Sequence, residues 1–126
     1  MLEEAGLNVV AEDDNWGARA GEPDIALEGD LIEAIHRHHH RYNWNRAIYP
    51  ATERFAWFYE EAVKPDVDVV VFYMPPSDHA LGWDYPRLQD LVEAQGKKTK
   101  VLRCDVTTPA GRAEALSITR KFISNL

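Results

Sequence analysis

Residues 67–74, VDVVVFYM, decide the fold. From Val69 onward the run is apolar without alternation. A strand with one wet face would alternate, so this one is expected to be covered on both faces, as in a parallel sheet between helices. Pro75-Pro76 ends it, because proline cannot donate to a ladder. Upstream, Phe55, Phe58, Tyr59, Ala62 and Val63 recur at helical spacing and predict a helix over 51–63, closed by Pro65-Asp66. Downstream, Leu88, Leu91 and Val92 predict the buried face of a helix over 85–95, with Gly96 as its stop. A strand is expected over 99–104. A last helix is expected from Pro109 to about Ser124, with Thr108 as its N-cap and Pro109 at its first position. Its inward residues read as Leu116, Ile123, Ala113 and Phe122. Strands alternating with helices imply parallel strands joined by right-handed crossovers.

The N-terminal half is expected to add a strand over 7–12 (LNVVAE), its end followed by Asp13 and Asp14. A loop follows over 15–23. A helix is predicted over 24–41, with Pro23 or Asp24 near its start and Ile25, Leu31, Ile32 and Ile35 on one face. A loop over 43–50 breaks it. Residues 1–6 read as the tail of a helix. In a complete doubly wound domain a strand and most of that helix would precede them. The expectation is therefore a truncated domain, or one whose open sheet edge a partner supplies. The fold class is a three-layer α/β lobe, flavodoxin-like or Rossmann-like, with a parallel sheet of about three strands and its first strand lacking. Residues 1–126 read as a single domain.

With 126 residues, 45% of them hydrophobic, the chain can bury one modest core. A net charge of −7 disfavours nucleic acid and anionic membrane as partners. No apolar run approaches the ~20 residues that span a bilayer. The first ten residues lack the basic and apolar regions of a signal peptide. The cytoplasm is the expected location. One cysteine excludes an intrachain disulfide and any Cys-based zinc or iron–sulfur site built by this chain alone. Cys104, ending a buried strand, reads as an inert core thiol.

In an open parallel sheet, ligands bind beyond the carboxyl ends of the strands. Asp14, Trp16 and Arg19 follow the first expected strand. Ser77, Asp78 and His79 follow the second, and residues 105–108 follow the third. Those six named residues are the candidate substrate contacts. Carboxylates gathered there could bind a cation or serve as acid or base, but acids at such ends commonly cap helices, which is the preferred reading. A phosphorelay receiver domain would want a lysine at a later strand end, and none stands there. The run His36-Arg37-His38-His39-His40-Arg41 invites a metal at His36 and His40, four apart on a helix. Its flanking arginines repel a cation, so it reads as a solvated or interface-facing helix end. Trp44 and Tyr49 read as interface aromatics before pocket aromatics. Gly17, Gly21 and Gly29 fit neither a dinucleotide fingerprint nor a phosphate loop. No nucleophile–base set supports a stand-alone hydrolase or dehydratase.

Several stretches together resemble one family. LEEAGLNVVAEDD with Gly17 and Arg19, then PATER, AWFYEEAVKPDVDVVVFYM, GWDYPRLQDLVEAQGKKTKVLRCD and SITRKFISNL follow the order of the 2-hydroxyacyl-CoA dehydratase and benzoyl-CoA reductase D-component family. The match is to its C-terminal lobe. The resemblance implies paired α/β lobes, partner subunits and a [4Fe–4S] cluster held by cysteines. It also implies an ATP-dependent activator that supplies an electron for ketyl-radical chemistry on an acyl-CoA thioester. Counting back from Asp84-Tyr85-Pro86 places Asp78 where the family has a cluster cysteine. The expectation is a cluster-free lobe or small subunit that contributes acyl-CoA contacts or assembly, beside a partner subunit or as a homodimer. Any cluster would lie in a partner or in an N-terminal lobe. Arg19 would meet thioester or phosphate charge, and Ser77 or His79 would donate a hydrogen bond. The alternative is an α/β interaction module that binds no CoA.

Overall fold

The structure is a computed structural model that describes residues 1–12, 24–25, 28–42 and 51–126. In chain order the elements are α1 (Leu2–Ala5), α2 (Leu31–Tyr42), α3 (Ala51–Ala62), β1 (Val69–Tyr73), α4 (His79–Glu93), β2 (Lys98–Leu102) and α5 (Pro109–Ile123). The chain forms a small α/β fold. The residues fall into two compact units, one of residues 1–10 with 62–126, the other of residues 11–61.

In the first unit β1 and β2 pair in parallel, with Val69 opposite Lys98 and Tyr73 opposite Leu102. Two backbone bonds extend the ladder, Lys98 N–H to the Asp68 carbonyl at 3.1 Å and Met74 N–H to the Leu102 carbonyl at 2.9 Å. Both strands therefore end together, which aligns the segments that follow them. Lys97 sets the opposite end of the sheet. Its ammonium donates to the carbonyls of Lys64 at 2.9 Å and Val67 at 2.5 Å, fixing the approach to β1.

Alternation along the strands gives each helix its own apolar surface. Leu102, Cys104 and Ala115 form a buried cluster, with Met1, Leu2, Val71, Tyr73, Val106 and Ile118 packed against it. Phe72, one step out of phase with Val71 and Tyr73, meets the Tyr85 ring of α4 at 6.0 Å between centroids. Leu88 and Val92 of α4 are buried. Gln89 of α4 donates to the Thr99 hydroxyl of β2 at 2.9 Å, and both Gln89 and Thr99 donate to Glu93. That network seats α4 on β2.

Thr108 caps α5 as expected. Its hydroxyl accepts from Gly111 N–H at 3.1 Å, with Pro109 in the first turn. The inward residues differ from the expected set. Gly111, Ala115 and Thr119 are buried, Ala113 is exposed, and Leu116, Phe122 and Ile123 are half-buried. The cause is close approach: a Cβ on Gly111 would lie 2.1 Å from the Asp105 carbonyl oxygen. Small residues at four-residue spacing let α5 lie that near. Thr119 satisfies its buried hydroxyl by donating to the Ala115 carbonyl at 2.8 Å.

α1 ends in a Schellman turn. Gly6, at φ 109°, donates to the Glu3 carbonyl, and Leu7 N–H donates to that of Leu2. Glu4 accepts from Arg112 of α5 at 2.8 Å, which holds its carboxyl below the usual range. Both partners are about half exposed, and such pairs contribute little. The contact of Met1 and Leu2 with the core is the larger attachment.

Further expectations are corrected. Residues 7–12 form no strand: nothing among the described residues pairs with them, and Val9 and Val10 are exposed. β-branched residues favour a strand but do not make one without a ladder partner. The helix expected from residue 24 begins at Leu31, because Gly29 takes φ 83° and Asp30 caps through Oδ1 to Glu33 N–H at 2.9 Å. Leu31 and Ile32, in its first turn, are exposed. The helix expected from Tyr85 begins at His79, so Pro86 lies inside α4. Leu91, expected to be buried there, is 36% exposed, at the margin of the face that Leu88 and Val92 bury.

Gly111→Ala tests the close approach. The Asp105 turn would have to yield, so the variant should lose about 1–3 kcal/mol in urea unfolding. An unchanged midpoint would contradict the packing described.

Candidate functional site

Because β1 and β2 end level, the segments after them share one end of the sheet. Met74, Pro75, Pro76, Asp78, His79, Gly82, Trp83 and Arg103 line an open groove of about 390 Å³ there. Pro75 and Pro76 turn the chain, and Asp78 N–H donates to the Pro75 carbonyl at 2.9 Å. Asp78 then caps α4, its Oδ1 accepting from Leu81 N–H at 3.1 Å. The start of α4 carries His79, Gly82 and Trp83 into the groove.

Arg103 enters from the end of β2. Its guanidinium carbon stands 5.5 Å from the centre of the Tyr85 ring, close enough for cation–π attraction. Arg103 is exposed, so the attraction belongs at the weak end of the range. It restrains a cation that still meets solvent. Trp83 is 87% exposed, a large apolar face left in water beside that cation.

The groove brings together two of the six expected contacts, Asp78 and His79. Ser77 lies between Pro76 and Asp78 in the same turn and is exposed. Asp14, Trp16 and Arg19 lie outside the described residues, as do Trp44 and Tyr49. Arg103 was missed by sequence reasoning. Extending the strand to Cys104 placed it inside a ladder, whereas pairing ends at Leu102. The readable signal was a charged residue interrupting an apolar run one position before the buried Cys104.

The turn after β2 is closed by its own hydroxyls. Asp105 Oδ1 accepts from the Thr107 hydroxyl at 2.6 Å and Thr107 N–H at 3.0 Å. The Thr108 hydroxyl donates to the Asp105 carbonyl at 2.9 Å. Thr107 thereby holds the Asp105 carboxyl below its usual range. Cys104 belongs to the core, 3% exposed, and burial pushes its thiol pKa up, with Glu114 and Asp105 adding to the shift. Among the described residues, no three His, Cys, Asp or Glu groups are placed to hold a metal ion. The histidine run lies on α2, where Arg37 pairs with Glu33 at 2.6 Å. No helix among the described residues is long and apolar enough to cross a membrane.

Fold and groove define an α/β lobe that presents a cation and an exposed indole beyond the carboxyl ends of parallel strands. The family described as 2-hydroxyglutaryl-CoA dehydratase, D-component, matches residues 1–118. The chain belongs to that family. No curated protein and no solved structure matches it.

The Asp105 turn gives a pH prediction. The folded-state carboxyl is depressed, so its contribution is present above the unfolded-state pKa and lost as pH falls through the folded one. Asp105→Asn should be less stable than the parent near neutral pH. Its stability should also fall less between about pH 5 and about pH 2. Parallel acid limbs in the two proteins would contradict the assignment.

Proposed function

We propose that the chain is a cluster-free lobe or small subunit of a 2-hydroxyacyl-CoA dehydratase-like or benzoyl-CoA reductase-like assembly, with the strand-end groove as its acyl-CoA contact. The observation that carries this is the groove itself, where Arg103 and His79 stand beside an exposed Trp83. Family membership supplies the substrate class.

A CoA thioester offers phosphates, a polar thioester carbonyl and an adenine. In this reading Arg103 pairs with an anionic oxygen, while His79 and Ser77 donate hydrogen bonds. The indole of Trp83 offers a face for stacking.

A [4Fe–4S] cluster supplies one-electron chemistry where it is bound, but the residues of this groove do not fit one. The carboxylate of Asp78 is engaged in capping, and the sulfur of Cys104 is buried in the core. A single hard oxygen donor does not replace thiolates. The cluster and the radical step therefore belong to a partner subunit or another lobe, and this chain contributes binding and assembly in the cytoplasm.

A second reading, an interaction module without CoA, draws on the exposure of Val9, Val10 and Trp83. Thermal unfolding separates the two. A ligand bound only by the folded state stabilises it, by about 2.7 kcal/mol at a hundred times its Kd. We expect 2-hydroxyglutaryl-CoA to raise Tm, and His79→Ala and Arg103→Ala to diminish the shift. No shift in the parent protein would favour the interaction module. A full shift in both variants would move the binding site elsewhere.

A further inference from the structure

We infer that Asp78 is a positioning residue: by capping α4 it fixes where His79, Gly82 and Trp83 stand in the groove. The inference rests in part on the cluster-free reading, since Asp78 stands where the resemblance expects a ligand cysteine. Its direct basis is geometric. Asp78 immediately precedes α4, is half-buried, donates its N–H to the Pro75 carbonyl at 2.9 Å and accepts from Leu81 N–H at 3.1 Å. These two bonds join the Pro75-Pro76 turn to the first helical turn. His79, Gly82 and Trp83 lie within five residues of the cap and share the groove with it. Helical geometry therefore transmits any change in the cap directly to their positions.

An aspartate or asparagine oxygen serves this role well. A thiol is a weak acceptor and serves it poorly. The two uses of the position thus exclude one another: a ligating sulfur would leave the Leu81 N–H without its partner. This lobe orders its strand-end groove by a helix cap, with no metal required at that position.

Three variants test this: Asp78→Ala, Asp78→Asn and Asp78→Cys. Asp78→Ala should lower Tm by about 4 °C and weaken 2-hydroxyglutaryl-CoA binding. Asp78→Asn should recover most of both losses. Asp78→Cys should behave like Asp78→Ala, and should retain no iron or sulfide after anaerobic incubation with both. If Asp78→Asn were as impaired as Asp78→Ala, or if Asp78→Cys took up a cluster, the inference would be overturned. An unchanged affinity in a destabilised Asp78→Ala would also overturn it, leaving the cap without a positioning role. Should the parent protein bind no acyl-CoA, the functional reading fails separately. The indole N–H resonance of Trp83, assigned by NMR in the parent, Asp78→Ala and Asp78→Asn, then decides the inference: a shift in Asp78→Ala that Asn rescues supports it, and an unmoved resonance overturns it.

Discussion

The parallel pairing of β1 with β2 is the constraint on which the rest of this lobe depends. It brings two strand ends level, and everything that could touch a ligand follows from that. The turn at Pro75-Pro76 and the side chain of Arg103 are 27 residues apart, counting from Pro76, yet they line one groove. The pairing is reinforced at both ends. Lys97 holds the carbonyls that precede β1, and Met74 continues the ladder beyond it. Loss of either strand would separate the groove's two halves.

Two contacts convert that sheet into a defined site. The close approach at Gly111 draws α5 against the turn after β2, whose hydroxyls are consumed in its own hydrogen bonds. The cap at Asp78 starts α4 beside the end of β1. Both devices are local and polar, and both lie at the rim of an apolar core. The core supplies the stability, and these bonds supply the direction of the side chains.

Features written in short, strong local signals were legible in the sequence. The run at residues 69–73 reads as a strand and is one, though only Phe72 in it is fully buried and its neighbours are half-buried; Thr108-Pro109 reads as a helix start and is one. The α4 start was misplaced because Tyr85-Pro86 was read as a helix opening. The nearer signal was Asp78, an N-cap residue after two prolines. Pro86 is accommodated inside α4, where the carbonyl that loses its donor belongs to Gly82, a residue with open space around its Cα. Asp30 followed three residues later by Glu33 was likewise a readable cap. Residues 7–12 failed for another reason: a strand depends on its neighbour, and no local pattern reports whether that neighbour exists. Of the six candidate contacts the groove contains Asp78 and His79, both of which follow the end of β1. Arg103 was hidden by a strand boundary drawn two residues too late.

Chemically the lobe presents cations and aromatic surface without a thiolate at the groove. That combination suits recognition of an anionic thioester, the role proposed for this groove. The most direct measurement is amide chemical-shift mapping by NMR with 2-hydroxyglutaryl-CoA added to the intact chain. The account predicts saturable shifts concentrated at residues 74–83 and 103–108. Shifts confined to other parts of the chain, or none at all, would contradict it.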